Sequence, residues 1–181
     1  RLPDMGVTHA AHLAEFFSRR GAHEACILDG HWGMGNSMIA TRLLGDAPFD
    51  PFSNELGGED DFLFARLRDE GVVMGWAPQG VVLEHVPPHR ATLKYMLRRS
   101  FAFGQGPTTI AARKSPPEVL NVIRWMAIGL AQTFVFGFIT LLMYAARSPK
   151  RVKWLDKTAA GVGKVLWFSP FDQRFYGQYA R

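Results

Sequence analysis

Residues 125–146, WMAIGLAQTFVFGFITLLMYAA, run for 22 positions without a charged side chain. As a helix rising about 1.5 Å per residue the stretch would measure about 33 Å, against a bilayer hydrocarbon core of about 30 Å. Trp125 and Tyr144 stand at its two ends, where amphipathic rings prefer the interface. Core helices of this length in soluble proteins usually carry some charge, so the stretch predicts a transmembrane or membrane-embedded helix. Gly129, Thr133 and Gly137 recur every four residues and mark a candidate packing face. Arg113, Lys114 and Arg124 precede the segment, and Arg147, Lys150, Arg151 and Lys153 follow it. Both flanks are therefore positive, the positive-inside rule chooses no topology, and an in-plane or re-entrant arrangement is equally compatible.

Outward from this segment the chain divides into zones. Residues 147–181 read as an interfacial basic and aromatic tail, because Trp154, Leu155, Val162, Val165, Leu166 and Trp167 interleave with lysines. Residues 91–124 read as a basic amphipathic connector. Within it Leu93, Met96, Leu97 and Ser100 or Phe101 form a helical stripe, with Lys94, Arg98 and Arg99 on or beside the other face. Arginines so placed fork onto phosphates, of a nucleotide or of lipid headgroups, and a solvated basic face beside a membrane would use the same residues.

Residues 1–90 read as mixed α and β. Residues 8–20 put Ala10, Leu13, Ala14 and Phe17 on one helical face before Gly21. Residues 25–28 predict a strand ending in Asp29-Gly30, and residues 37–44 a short helix. A Pro-, Asp-, Asn- and Gly-rich loop over 45–58 leads to Glu59-Asp60-Asp61, which open a helix carrying Phe62, Leu63 and Leu67 as far as Gly71. Residues 72–76 and 81–86 predict two more strands around Pro78-Gln79-Gly80, and Pro87-Pro88 ends the pattern.

Composition narrows the classes. With 181 residues, 48% hydrophobic, 14 Phe and 5 Trp, the chain has ample apolar surface to bury and is neither disordered nor collagen-like. One cysteine excludes a disulfide scaffold and a Cys-based zinc site, and suits a reducing compartment. The net charge of +5 gathers around the apolar segment, which points to membrane phosphates and away from nucleic acid. Arg1-Leu2-Pro3-Asp4 opens the chain without an apolar signal region, as an internal cut would.

Three clusters could carry chemistry. Three carboxylates behind Gly57-Gly58 would sit at a helix N-terminus, where the dipole favours negative charge. One of them could accept a proton from a hydroxyl or help hold a divalent cation, although acidic helix starts are common without function. His85, in Glu84-His85-Val86-Pro87-Pro88-His89, would end a strand and could be a metal ligand or an acid/base group. The prolines deny His85 and His89 a shared helical face. Arg98 and Arg99 are the third cluster. Gly161-Val162-Gly163-Lys164 lacks the glycine spacing and Ser/Thr of a P-loop, Gly33-x-Gly35 lacks a third glycine, and His9-x-x-His12 has no evident third ligand.

In order, the pieces Gly35-Asn36-Ser37-Met38, then Asn54-Glu55-Leu56-Gly57-Gly58-Glu59-Asp60-Asp61-Phe62-Leu63, then Trp76-Ala77-Pro78, Glu84-His85-Val86 and Leu97-Arg98-Arg99-Ser100-Phe101-Ala102-Phe103-Gly104-Gln105-Gly106, followed by a membrane segment, resemble the C-terminal half of a family 2 glycosyltransferase of the GT-A type. The likeness covers about residues 25–147 and is to membrane-associated members that build bacterial surface polysaccharides or glycolipids. It implies an α/β fold, with residues 1–90 as the acceptor-side half of a partial GT-A sheet-and-helix domain. It implies inverting transfer from a nucleotide-sugar donor to a glycan or lipid-linked acceptor, at the inner membrane with the catalytic part facing the cytoplasm. Asp60 would be the general base, with Glu59 orienting it or the acceptor. Gly35, Asn36 and Asp61 would shape the acceptor pocket, His85 would help ligate a divalent cation (Mg2+ or Mn2+), and Arg98 and Arg99 would meet the departing diphosphate. The family's Asp-x-Asp donor half is not matched in residues 1–58, and Arg98-Arg99-Ser100-Phe101 lacks the family's later Trp, so the resemblance implies part of a longer enzyme. A non-catalytic, membrane-anchored docking module or degenerate remnant is the competing expectation.

Overall fold

Apolar spacing of three and four residues over most of the chain favours helix, and helix dominates the structure. The computed structural model describes residues 10–18, 21–30, 33–49 and 58–175. Among them are α1 (Ala10–Phe17), β1 (Cys26–Leu28), α2 (Glu59–Asp69), β2 (Met74–Trp76), α3 (Leu93–Arg113), α4 (Val119–Ala145) and α5 (Arg151–Val165). Single 3-10 turns form at Met34–Asn36 and at Thr41–Leu43, the second within residues 37–44 where the sequence predicts a short helix. The described chain makes two units: one comprises residues 10–18 and 86–173, the other chiefly residues 21–85. The expected motif positions Asn54 to Gly57 lie outside the described residues.

The α/β GT-A expectation is overturned. Helix takes 57% of the described residues, and their sheet is a single antiparallel pair, with Cys26 opposite Trp76 and Leu28 opposite Met74. A GT-A domain needs a wider sheet covered by helices, which three-residue strands do not supply. The expected strand over 81–86 does not form: the chain enters it from a turn in which Gly80 N–H donates to Ala77 O (3.0 Å) and Val81 N–H to Gln79 O (2.9 Å), and among the described residues no strand pairs with it. Pro87 and Pro88 remove two further donors, and Val81, Val82 and Leu83 stay exposed.

The smaller unit is organised by α2. Leu63, Phe64 and Leu67 are buried, and Met34, Ile39, Leu43, Leu44, Val72 and Met74 pack on them; each such burial is worth about 1.5–3 kcal/mol. The helix starts after Gly58 in the left-handed region (φ 88°) and ends at Gly71 (φ 77°). There Gly71 N–H donates to Arg68 O and Val72 N–H to Leu67 O, both at 2.9 Å, which closes a Schellman cap at the glycine the sequence marks as a stop.

The larger unit is a three-helix bundle with α1 against it. Thr92 caps α3, its hydroxyl accepting from Tyr95 N–H (3.2 Å). The helix then runs beyond the predicted stripe, through Pro107 to Arg113. Helix α5 lies between α3 and α4 by presenting glycines to both. A Cβ on Gly161 would stand 2.9 Å from Thr133 N and Oγ1 of α4, and one on Gly163 would overlap Phe101 O of α3. Gly129 of α4 meets the Lys164 Cβ in the same way, and Gly104 of α3 meets Ala160. The predicted small-residue face of α4 is thus an interhelical contact, continued by Thr140 Oγ1 to Thr158 Oγ1 at 3.3 Å. The opposite face of α4 exposes Leu120, Leu130, Phe134, Val135, Phe138 and Leu141, and only Gly129 and Thr140 of this helix are buried. Among the described residues one helix, α4, is long and apolar enough to cross a membrane. Leu13 of α1, Met96 of α3 and Val152 of α5 form the buried cluster at one end of the bundle.

Helix α4 also ends in a Schellman cap, with Arg147 N–H on Tyr144 O (3.0 Å) and Ser148 N–H on Met143 O (2.9 Å), but its left-handed residue is Arg147 (φ 51°). Two variants probe this packing by denaturation in detergent. Gly163→Ala should lower stability by about 1–3 kcal/mol, because a methyl has no room against the α3 backbone. Arg147→Gly should raise it by about 1 kcal/mol, because the left-handed position no longer carries a Cβ.

Candidate functional site

The carboxylate triplet sits where the sequence places it, on the first turn of α2, and the glycine loop is fastened to it. Gly33 (φ 97°) lets the chain turn into Met34–Asn36, and Ser37 Oγ donates back to Gly33 O at 2.8 Å. Met34 N–H donates to Asp60 Oδ2 at 3.2 Å, and Asp61 N–H to Asp60 Oδ1 at 3.1 Å. Asn36 Nδ2 donates to Gly80 O at 2.6 Å, tying the same loop to the turn after β2. Arg66 holds the next turn against α2 through Leu44 O (3.2 Å) and Leu43 O (3.4 Å), while ion-pairing with Glu70. Trp76 Nε1–H donates to Ala22 O at 2.8 Å, and its ring occupies the space a Gly21 side chain would need.

Five predicted site residues therefore gather on one unit: Gly35, Asn36, Glu59, Asp60 and Asp61. Gly35 and Asn36 are exposed and the three carboxylates half-buried, so the cluster is open to a ligand. Asp60, through its two backbone amides, joins the Gly-Asn loop to the helix start. His85 is exposed in an irregular segment, not at the end of a strand. Among the described residues no group of three or more His, Cys, Asp or Glu side chains is placed to hold a metal ion. Arg98 and Arg99 belong to the bundle unit. There Arg98 Nε donates to Gln173 Oε1 at 3.1 Å, and the Arg99 guanidinium lies 4.7 Å from the Phe103 ring centroid.

One polar cluster escapes the sequence reading. Asp156 of α5 takes Ser100 Oγ–H of α3 on Oδ1 and lies 3.2 Å by Oδ2 from His12 Nε2 of α1. His12 Nδ1 stands 3.6 Å from Glu15 Oε2. Serine and histidine bond the same carboxylate and not each other, so the group fastens α1, α3 and α5 together and is no nucleophile–base relay. Its partners lie 144 and 56 positions apart, beyond any local motif; the only signal is that Asp156 is the single acid among the basic residues 150–164.

Burial pushes the Lys164 ammonium below its ordinary value of 10.5. Its Cβ presses on Gly129, and its carbonyl accepts from Thr108 Oγ1 at 3.0 Å. Below the lowered value both states are protonated and the folded chain carries the full burial penalty. Between that value and 10.5 the unfolded chain binds more protons, so stability rises with pH across this window. Lys164→Met should flatten that rise and make the protein more stable at neutral pH, as read from denaturation at a series of pH values. Comparison of the chain with protein-family models, with curated proteins and with solved structures finds no match.

Proposed function

We propose that this chain is the acceptor-side part of a membrane-associated glycosyltransferase, within a longer polypeptide, that moves a sugar from a nucleotide-sugar donor onto a glycan or lipid-linked acceptor. The reading rests on the local motif and requires no GT-A sheet in this chain. The observation that carries it is the hydrogen bond from Met34 N–H to Asp60 Oδ2, which joins two separate pieces of the resemblance in one open cluster. The Asp60 carboxylate sits beside exposed Gly35 and Asn36, where an acceptor hydroxyl can reach it and give up its proton as the sugar is transferred. Glu59 and Asp61 flank it and orient the acceptor. A Mg2+ or Mn2+ ion would accompany the donor, but the described residues offer no ligand set for it, and no step here runs through it. The apolar outer face of α4 suits attachment to a membrane, for which the inner membrane, with the transferase part in the cytoplasm, is our reading.

The same two backbone bonds favour a second reading, in which Asp60 only tethers the loop of a non-catalytic docking module. Asp60→Asn in the complete protein separates them. As general base, Asp60 should take about 10²- to 10⁴-fold of kcat with it while donor binding and melting temperature hold. Unchanged turnover with a lowered melting temperature would leave the tether alone.

A further inference from the structure

We propose that the end of the bundle carrying Lys94, Arg147, Lys150, Lys153 and Lys157 is a docking surface for the anionic phosphate headgroups of a lipid bilayer, which holds the C-terminal end of α4 at the negatively charged leaflet. The proposal rests on the membrane reading above and adds to it the lipid chemistry and the sense of insertion.

The helix directions make this surface. Ser100 meets Asp156 and Thr108 meets Lys164, so α3 runs parallel to α5. Thr158 meets Thr140, and Gly161 meets Thr133, so α5 runs antiparallel to α4. The N-terminal residues of α3, which precede α4 in sequence, therefore lie at its C-terminal end. The flanking charges that look balanced along the sequence are unbalanced in space. Lys94, Arg147, Lys150, Lys153 and Lys157 are exposed at this end, with half-buried Arg151 among them. The acids nearby are Asp156, engaged with His12 and Ser100, and Glu15, 3.8 Å from Lys153 Nζ. At the other end stand Arg113, Arg124, half-buried Lys164, and Lys114 paired with Glu118 at 2.8 Å.

Three features show that these cations serve something outside the fold. The first turns of α3 and α5 contain no acid, so Lys94, Lys150 and Lys153 add positive charge to the positive ends of two helix dipoles, which disfavours both helices unless an anion is supplied. Arg147 occupies a left-handed position that glycine would take without strain, and it sets an exposed cation there. The apolar stripe of Phe134, Phe138 and Leu141 leads straight to this end. There Arg151 lies over the Tyr144 ring at 5.6 Å and Lys157 over the Trp154 ring at 5.0 Å. Apolar stem, aromatic collar and cationic tip are the sequence of chemistries met on leaving acyl chains for phosphates. Anionic lipid is concentrated in the cytoplasmic leaflet, which sets the direction.

The test is flotation of the purified full chain with vesicles of phosphatidylcholine alone and of phosphatidylcholine mixed with phosphatidylglycerol. The wild type should prefer the anionic vesicles. Combining Arg147→Gln, Lys150→Gln, Lys153→Gln and Lys157→Gln should weaken that binding on the order of 1,000-fold and leave neutral vesicles unaffected. Lysine-to-arginine changes at 150, 153 and 157 should preserve it, as should Arg113→Gln with Arg124→Gln at the other end. Equal flotation on both vesicles, or equal loss from the two ends, overturns the headgroup surface and leaves membrane association standing. No flotation on either overturns both. Displacement from anionic vesicles by duplex DNA as effective as by excess anionic lipid would overturn the choice of lipid.

Discussion

Gly161 and Gly163 stand about 200° apart around α5, so each faces a different neighbour, and neither neighbour leaves room for a side chain. That close approach lets a 15-residue helix lie between α3 and α4 and bond to both through backbone and short polar side chains. The rest of the bundle follows from it. With the small face of α4 used against α5, large apolar side chains on its other face, among them Phe134, Phe138 and Leu141, stay exposed and form the stripe. With α3 and α5 parallel, their cationic first turns meet at one end. Asp156 can then collect Ser100 and His12 and bring α1 onto the bundle.

The smaller unit depends on a different device. A short antiparallel pair and two single turns have little apolar surface of their own, so α2 supplies it through Leu63, Phe64 and Leu67. The acidic start of that helix does for the loop what its apolar face does for the core. Asp60 accepts the Met34 amide, and the Gly-Asn loop stays beside the carboxylates with its outer side open. A structural tether and a base poised over an open cluster are the same side chain in the same place, which is why turnover and melting temperature have to be read together.

Helices were legible in the sequence where local rules suffice. Glu59 to Gly71 carries its own start and stop, residues 93–101 carry an apolar stripe at helical spacing, and residues 125–146 are apolar without interruption. What was not legible depends on partners remote in sequence. The strand read over residues 81–86 has the right residue types, but its first donor, Val81 N–H, goes to the preceding turn, and among the described residues no strand pairs with it. The GT-A sheet inferred from motif order fails for the same reason: motif order reports the chemistry a segment resembles, not the strands beside it. Gly161-Val162-Gly163 looked like a broken phosphate loop and is a helix-packing device. The carboxylate cluster was found because acids at a helix start are a local signal; the Ser100, Asp156 and His12 group was missed because nothing local announces it.

The central claim is that α5 packs antiparallel along α4, since the apolar stripe, the charge asymmetry and the membrane reading all depend on it. The direct measurement is oxidative cross-linking of a chain with Thr140→Cys and Thr158→Cys, with Cys26→Ser to remove the native thiol. The two threonine hydroxyl oxygens stand 3.3 Å apart, close enough for a disulfide between the substituted positions. Rapid formation of an intramolecular disulfide in membranes is the predicted result. Absence of a cross-link, or one formed only between two chains, would contradict the packing and everything built on it.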